Sequence, residues 1–398
     1  MLLSKGLQIM KNLVIAHGGG PTSVINASLA GAIKELKNKN FKGKILAPRF
    51  GSAGLLNEDF IDLTNVSDKD IELLIHTPGS AIGTSRFPLY DKEYEKIIDI
   101  LIKNDIGYVL FTGGNGSMDT IGNIYKHALK RNYEIICGGI PKTVDNDIAL
   151  TDHAPGFISC AKFIMQSVSD CAQDIKGLPI HVSIIEVMGR NAGWLAASSA
   201  LARINEDDAP HIILFPEIPF DEEKFLKLVK EKHEKYKGVI VVASEGLVDK
   251  NGNPIVKPIY KTERATYFGD VASYLQTLVI SKLGIKARSE KPGLLCRCSS
   301  SLVSELDLEE AQLMGKISVD TVLAGKNGYM IGIKRISSFP YKIEPILIPI
   351  NEVMLNESKF PEHFMSSDKY NVSKEFIEWL RPLVGYPNKV ISFVDKSN

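Results

Sequence analysis

The 398-residue sequence lacks a net charge, because 47 lysines and arginines balance 47 aspartates and glutamates. No overall field would hold the chain on nucleic acid or an anionic membrane, which argues against polyanion binding as a main function. No run reaches the ~18 apolar residues that a membrane span needs. The five cysteines are an odd number without the spacing of a secreted disulfide framework, which favours a reducing cytoplasm.

Several other sequence signals are also missing. The first nine residues lack the length and the cleavage site of a signal peptide. Since Met10 is an equally sensible start, the sequence leaves open whether residues 1–9 are native. Cys296 and Cys298 have no second Cys or His pair nearby that would complete a metal site, so we interpret this segment as a strand.

What the sequence does contain is a series of short apolar runs rich in valine and isoleucine, each followed by glycine or proline and then by helical spacing. Runs of this kind are typical of strands that are buried on both faces. The length exceeds what one hydrophobic core supports, and no flexible linker divides the chain. We therefore predict an α/β fold of two doubly wound, Rossmann-like parallel-sheet domains that are interwoven.

Glycines cluster in two segments that follow predicted strands, "HGGGPTS" at residues 17–23 and "FTGGNGS" at residues 111–117. Glycine lets a phosphate approach the backbone amides, and the N-terminus of the following helix favours negative charge. A tight strand-to-helix turn without a ligand would look similar. Two such turns in one chain suggest a nucleotide or polyphosphate that lies across both.

The segment "PKTVDND", residues 141–147, places an amine, a hydroxyl and two carboxylates after another predicted strand. In an extended loop Thr143, Asp145 and Asp147 would point to the same side. One carboxylate could take a proton from an attacking hydroxyl while the other holds Mg²⁺ against phosphates. The alternative is a structural loop in which Asp and Asn side chains bond their own backbone.

Together with "GTSRFP" at residues 83–88 and "MGR" at residues 188–190, these motifs resemble those of the phosphofructokinase family, in the family's order, over about residues 13–334. That family includes ATP-dependent 6-phosphofructokinases and their pyrophosphate-dependent relatives. The resemblance implies a cytoplasmic, Mg²⁺-dependent glycolytic enzyme that phosphorylates the 1-hydroxyl of fructose 6-phosphate. It also implies a homodimer or homotetramer, with neither nucleic acid nor a membrane as a partner.

The resemblance further divides the chain by function. It assigns the phosphoryl donor and Mg²⁺ to residues 11–155 with about 298–350, and the sugar phosphate to residues 156–297 with about 351–398. Asp145 would be the general base, Asp147 a Mg²⁺ ligand, Thr143 a contact to the reacting phosphate, and Arg190 the cation that stabilises the transferring phosphoryl group. The implied donor contacts are Gly19, Gly20, Arg86, Gly114, Gly116 and Ser117. The implied sugar-phosphate contacts are Thr143, Asp145, His181, Met188, Gly189, Arg190, Glu245, Arg288 and Arg297, of which one arginine crosses a subunit interface in many family members.

The sequence departs from the family pattern at several of these positions. Asn115 stands where most ATP-dependent members carry Asp; it remains a candidate Mg²⁺ ligand beside Asp147, although an amide is a poorer ligand than a carboxylate. His181 replaces an arginine that contacts the 6-phosphate, and Leu294 replaces a substrate-contacting histidine. Ala30 and Gln173 replace arginines of the bacterial effector site, so that regulation is not expected.

Two residues bear on the phosphoryl donor. Pyrophosphate-dependent members carry Asp at the position of Gly116, where its carboxylate would repel the α-phosphate of ATP, and they carry a lysine at the position of Lys142 that can neutralise the leaving phosphate. Gly116 favours ATP because it leaves that space open, whereas Lys142 is compatible with either donor. We therefore expect an ATP-dependent 6-phosphofructokinase, with the pyrophosphate-dependent enzyme as the alternative. A catalytically silent binding subunit is an alternative from another class.

Overall fold

The first sheet of the computed structural model, which describes residues 11–261, 266–354 and 356–394, has seven strands. Its spatial order is β13-β12-β5-β4-β1-β2-β3. The inner strands run parallel, whereas β3 and β13 pair antiparallel at the two edges. The strands are β1 (Asn12–His17), β2 (Ile45–Pro48), β3 (Phe60–Asp62), β4 (Ile106–Gly113), β5 (Ile136–Pro141), β12 (Tyr329–Ser338) and β13 (Tyr341–Pro349).

The second sheet has four strands, all parallel, in the order β11-β6-β8-β7. They are β6 (Val182–Val187), β7 (Ile212–Leu214), β8 (Val239–Ser244) and β11 (Ala287–Glu290). A separate antiparallel pair consists of β9 (Pro258–Lys261) and β10 (Thr266–Phe268). The chain therefore leaves the first sheet after β5, builds the second, and returns to the first with β12 and β13.

Helices connect the strands and cover the sheets. They are α1 (Ile25–Asn38), α2 (Ser52–Leu56), α3 (Asp68–Ile75), α4 (Asp91–Lys103), α5 (Asn115–Lys130), α6 (Phe157–Gly177), α7 (Trp194–Ser198), α8 (Glu222–Tyr236), α9 (Val271–Leu283), α10 (Leu295–Cys298), α11 (Glu305–Leu323), α12 (Ile350–Val353) and α13 (Lys374–Val384). Within the described ranges, no helix has both the length and the apolar character needed to cross a membrane.

Both faces of each sheet are buried, because successive side chains of a strand point to opposite sides. In β1, Leu13 and Ile15 pack into one core cluster with α1 and α11, while Val14 and Ala16 pack into another with α4 and α5. In β8, Val239 and Val241 face one cluster and Ile240 and Val242 the other. Apolar strands covered by helices on both sides confirm the predicted α/β fold of two doubly wound domains.

Some expectations differ from the structure or lie beyond it. Cys296 and Cys298 belong to the short helix α10, so their interpretation as a strand is wrong. The functional division of the chain near residues 156 and 298 stays a prediction. Residues 1–9 lie outside the described residues. Leu355 and residues 395–398, which belong to the predicted second domain, also lie outside them.

Candidate active site

Three loops meet beyond the carboxyl ends of β1, β4 and β5. These strands are neighbours in the first sheet, with His17 opposite Thr112 and Gly113 opposite Pro141. The backbone N–H of Lys142 donates to the Gly113 carbonyl at 3.0 Å, which joins the last two loops directly. Ligands bind at such edges of open parallel sheets. The fold therefore brings both glycine-rich segments and the "PKTVDND" segment to one place.

The segment of residues 143–147 is a tight turn, so the expectation of an extended loop is wrong. Asn146 adopts a positive φ of 54°, a conformation that Asn tolerates better than most residues. The Thr143 hydroxyl accepts a hydrogen bond from the Asp145 N–H at 3.0 Å and donates one to Asp147 Oδ1 at 2.8 Å. The side chains of Thr143 and Asp147 thus contact each other across the turn. The turn is therefore compatible with both interpretations of this segment, the structural one and the chemical one.

Asp145 has the properties of a general base. Its Oδ1 is buried and has no hydrogen-bond partner among the described residues. Burial, together with the nearby carboxylates of Asp147 and Glu245, raises the pKa of Asp145 to about 7 against the opposing charge of Lys142. A base whose pKa lies near neutrality suits proton abstraction at physiological pH.

The oxygen atoms beside Asp145 fit a magnesium ion. Asn115 Nδ2 donates to Asp147 Oδ2 at 3.1 Å, which leaves Asn115 Oδ1 buried without a partner among the described residues. In the part of the chain that the structure describes, no group of three or more His, Cys, Asp and Glu residues could hold a metal ion. Mg²⁺ needs no such group, because it binds through one or two carboxylates, water and substrate phosphates. Asp147 and Asn115 supply suitable oxygen atoms.

Positive charge gathers opposite these carboxylates, at Gly20. The buried Lys142 ammonium donates to the Gly20 carbonyl at 2.6 Å. A Cβ atom on Gly20 would lie 2.6 Å from Arg297 Nη1 and 3.6 Å from Arg86 Nη2. Burial, followed by the charges of Arg297 and Arg86, lowers the pKa of Lys142, whereas Asp145 and Asp147 oppose the shift; the net pKa is about 8. The arrangement offers cations to a phosphate chain that lies over the glycine-rich loop.

The glycines predicted to contact the donor have different surroundings. Gly19 has a φ of 74°, and a Cβ there would lie 3.6 Å from Lys142 Nζ. Gly114 precedes α5, and Ser117 lies in its first turn, where its side chain fills the space beside Gly113. A Cβ on Gly116 would meet no atom of the described residues within 4 Å. Helix α5 therefore begins beside an open space. The N–H groups at the start of this helix can bind an anion there.

The second sheet contributes residues that follow β6 and β8. Met188, Gly189 and Arg190 come directly after β6, and the Ser244 hydroxyl fixes this turn by donating to the Gly189 carbonyl at 2.6 Å. Glu245 follows β8. Burial raises the pKa of Glu245, and the positive charge of Arg190 acts against that rise. Because Glu245 also raises the pKa of Asp145, the loops of the two sheets face each other.

His181 and Arg288 lie at the start of β6, at the opposite end of this strand from Met188. His181 immediately precedes β6, and Arg288 pairs with Ser183 near the start of that strand. Met188 follows the other end of β6, about 20 Å away at roughly 3.3 Å per residue. Burial lowers the pKa of His181, and the adjacent Arg288 lowers it further. Within one chain these two predicted sugar-phosphate contacts are not brought to the carboxylates.

Glu357 is a site residue that the sequence analysis missed. It accepts a hydrogen bond from Asn191 Nδ2 at 3.1 Å, forms a bridge with Ile148, and its charge contributes to the raised pKa of Asp145. No motif surrounds it, and it reaches the site from the segment after α12. Its position in sequence therefore carried no signal.

Comparisons with known proteins show what the whole chain is similar to. The family model "Phosphofructokinase" matches residues 12–322. The pyrophosphate–fructose 6-phosphate 1-phosphotransferase of Xanthomonas campestris pv. campestris is 38% identical over 94% of this chain and 91% of its own. The crystal structure of a pyrophosphate-dependent phosphofructokinase from Marinobacter aquaeolei aligns with a TM-score of 0.86 and 38% identity, covering 97% of this chain and 94% of its own.

A relative with the other donor is less similar. The ATP-dependent 6-phosphofructokinase 2 of Clostridium perfringens is 29% identical over 64% of this chain and 69% of its own. The extent of the family match and the coverage of the relatives confirm the resemblance stated from the motifs. The chain belongs to the phosphofructokinase family and is a phosphotransferase.

Proposed function

We propose that this chain transfers a phosphoryl group from pyrophosphate to the 1-hydroxyl of fructose 6-phosphate. The observation that carries the phosphoryl transfer is the position of Lys142, whose buried ammonium lies between the Gly20 carbonyl and the carboxylates of the 143–147 turn. Since Lys142 is compatible with either donor, the choice of pyrophosphate rests on the relatives. A cation there can neutralise a leaving phosphate that carries no nucleoside. The names of two relatives that are 38% and 35% identical over 94% of the chain support pyrophosphate over the ATP favoured by the sequence analysis.

In this mechanism Asp145 takes the proton from the sugar 1-hydroxyl as its oxygen attacks the nearer phosphorus atom. A bond forms between the sugar oxygen and that phosphorus, the bridging P–O bond of pyrophosphate breaks, and orthophosphate leaves. Lys142 meets the leaving phosphate, and Arg190 stabilises charge on the transferring group. A bound Mg²⁺ would neutralise phosphate charge. Asp147 and Asn115 are the residues that would hold it.

ATP is the second candidate donor, because of the space on one side of the site. Gly116 leaves the start of α5 open, as noted above. A cavity of about 440 Å³ is lined by Ala53, Leu56, Asn57, Phe87, Lys92, Glu93 and Lys96, of which Phe87 follows Arg86 in the chain. This volume lies within the ~300–1,000 Å³ range of small-molecule sites. An aromatic ring and two lysines could accommodate a base and its phosphates.

We further propose that a second copy of the chain completes the sugar-phosphate site. His181 and Arg288 cannot reach the carboxylates of their own chain, but they could face those of a neighbour. Leu178 and Ile180, next to His181, are exposed at 56% and 48%, as expected of apolar residues that a partner covers. This arrangement fits the expected homodimer or homotetramer.

The two arginines should therefore respond differently to substitution. Arg297→Ala is expected to raise KM about tenfold for both fructose 6-phosphate and pyrophosphate, because Arg297 lies against the donor loop. Arg288→Ala is expected to raise only the KM for fructose 6-phosphate, by a similar factor. Steady-state kinetics with each substrate varied in turn checks both. A rise confined to fructose 6-phosphate in Arg297→Ala would show that this side chain leaves Gly20 when substrates bind.

The proposed reaction is tested by ³¹P NMR of the purified protein with fructose 6-phosphate, pyrophosphate and Mg²⁺. We expect loss of the pyrophosphate signal and equal growth of orthophosphate and of a second phosphate ester on carbon 1 of the sugar. A parallel sample with ATP tests the second candidate. Absence of a new sugar phosphate with either donor would contradict the proposal and favour the silent binding subunit.

A further inference from the structure

A buried charged histidine lies behind the turn of residues 143–147, which we call the catalytic turn. His153 has no exposed surface, and its two ring nitrogens face two carboxylates: Nδ1 lies 2.8 Å from Asp152 Oδ2, and Nε2 lies 2.7 Å from Glu310 Oε2. Burial by itself lowers the pKa of His153, but Glu310 and Asp152 outweigh it and raise that pKa to about 9. At neutral pH the ring is therefore an imidazolium that donates to both carboxylates.

The two carboxylates are themselves fixed by groups from other elements. The Tyr341 hydroxyl of β13 donates to Glu310 Oε1 at 2.5 Å. Arg335 of β12 donates to Asp152 Oδ2 at 2.8 Å, and the Trp379 indole of α13 donates to Asp152 Oδ1 at 3.1 Å. The imidazolium thus connects the segment after the catalytic turn with α11, β12, β13 and α13. A buried network of this kind holds its members in one arrangement when every partner is satisfied.

The backbone next to His153 holds the catalytic turn. The Ala154 N–H donates to Asn146 Oδ1 at 3.1 Å, and the Pro155 carbonyl accepts from the Thr143 N–H at 3.2 Å. Asp307, one turn before Glu310 on α11, accepts from the Gly156 N–H at 2.9 Å. The residues on either side of Asp145 are therefore bonded to residues that flank His153. A displacement of His153 would therefore move Asp145 through these two hydrogen bonds, one to Asn146 and one from Thr143.

We propose that His153 is a positioning residue for the turn of residues 143–147, which it holds in place through its bonds to Asp152 and Glu310. His153 does not touch the reacting groups and acts through Thr143 and Asn146. The part of this inference that concerns turnover rests on the proposed function, whereas the part that concerns the order of the turn does not.

The test is His153→Gln, compared with His127→Gln as a matched control. His127 is also buried, but its ring bonds to Asn123 within α5. In His153→Gln we expect kcat per folded molecule to fall about 10- to 100-fold, as small misplacements of reacting groups do, with KM for both substrates within a few-fold. Amide hydrogen exchange of residues 143–150 should become at least tenfold faster without substrate. His127→Gln should change neither quantity.

Exchange in this turn that is as slow as in the wild type would overturn the proposal even if the chain has another activity. Faster exchange without any phosphoryl transfer in the wild type would instead contradict only the proposed function. Should His153→Gln not fold, Tyr341→Phe carries the test. It removes one hydroxyl that fixes Glu310, and we expect faster exchange of the turn and a lower kcat, both smaller than for His153→Gln; unchanged values would overturn the proposal.

The charge on His153 is tested by thermal unfolding at several pH values. Groups of both signs face the ring or its partners: Asp152, Glu310 and Asp307 are acidic, and Arg335 and Tyr341 lie on the strands. The raised pKa of His153 adds stability that is fully present below about pH 6.5 and is lost as the pH rises through about 9. The Tm difference between wild type and His153→Gln should shrink over that interval. A difference that stays constant or grows over that interval would show that the ring is neutral and would contradict the charge assigned to it.

Discussion

Replacing Asp145 with asparagine is expected to lower kcat by ~10²- to 10⁴-fold, the usual cost of losing a general base. The amide has nearly the shape of the carboxylate and can still accept hydrogen bonds, but it cannot take the proton of the sugar hydroxyl. Because the substituted side chain keeps its place beside Lys142, binding of fructose 6-phosphate should change no more than a few-fold. The turn itself is expected to persist, since Thr143 bonds the Asp145 backbone rather than its side chain.

The measurement is kcat by a coupled assay, together with the dissociation constant of fructose 6-phosphate by calorimetry. Retained binding with lost turnover would support the role of Asp145. A variant that turns over near the wild-type rate would show that another group accepts the proton. Loss of binding and turnover together would point to a collapsed site, which circular dichroism and Tm would reveal.

Lys142→Met is expected to lower kcat/KM for pyrophosphate about 10- to 150-fold, since an unmade charged hydrogen bond costs roughly 1.5 to 3 kcal/mol. Methionine keeps much of the apolar stem but removes the ammonium that bonds to Gly20. It also removes the charge that opposes the raised pKa of Asp145. Any activity with ATP should fall less, because Lys142 is assigned to the leaving phosphate of the smaller donor.

Lys162→Met is a matched control for this substitution. Lys162 of α6 is half-buried and, like Lys142, donates to one backbone carbonyl, that of Val303 at 3.1 Å. We expect it to leave kcat/KM for pyrophosphate within a few-fold of wild type. If both variants lose activity equally, the effect of Lys142→Met reflects folding rather than phosphate binding.

Most of the interior strands and the edge strand β7 could be predicted from sequence, because strands buried on both faces are short continuous apolar runs. The edge strands β3 and β11 could not. β11 has the polar sequence Ala-Arg-Ser-Glu, and β3 is only three residues long, so neither contains an apolar run. The four-residue helix α10 was mistaken for a strand because periodicity cannot distinguish such short segments. The parallel order of the inner strands followed from their alternation with helices, whereas the antiparallel edges depend on tertiary pairing.

The catalytic turn could be predicted because its residues are adjacent in sequence and form a family motif. The contacts that complete the site could not, because they join distant segments. His153 and Glu310 are 157 positions apart, and Glu357 reaches the site without a motif. The resemblance also assigned Arg297, Arg288 and His181 to the 6-phosphate of the sugar, but within one chain the fold separates Arg297 from the other two. Residues that are close in sequence thus indicated the chemistry, whereas the topology determines which residues lie together in one site.

The most direct test of the account is the ratio of kcat/KM for pyrophosphate to kcat/KM for ATP in the wild-type protein, with fructose 6-phosphate and Mg²⁺ saturating. The relatives support pyrophosphate, and the open space at Gly116 is the feature that would admit ATP. We predict a ratio of at least ~10, a difference of about 1.4 kcal/mol in transition-state stabilisation. A ratio below one would contradict the assignment of pyrophosphate as the donor.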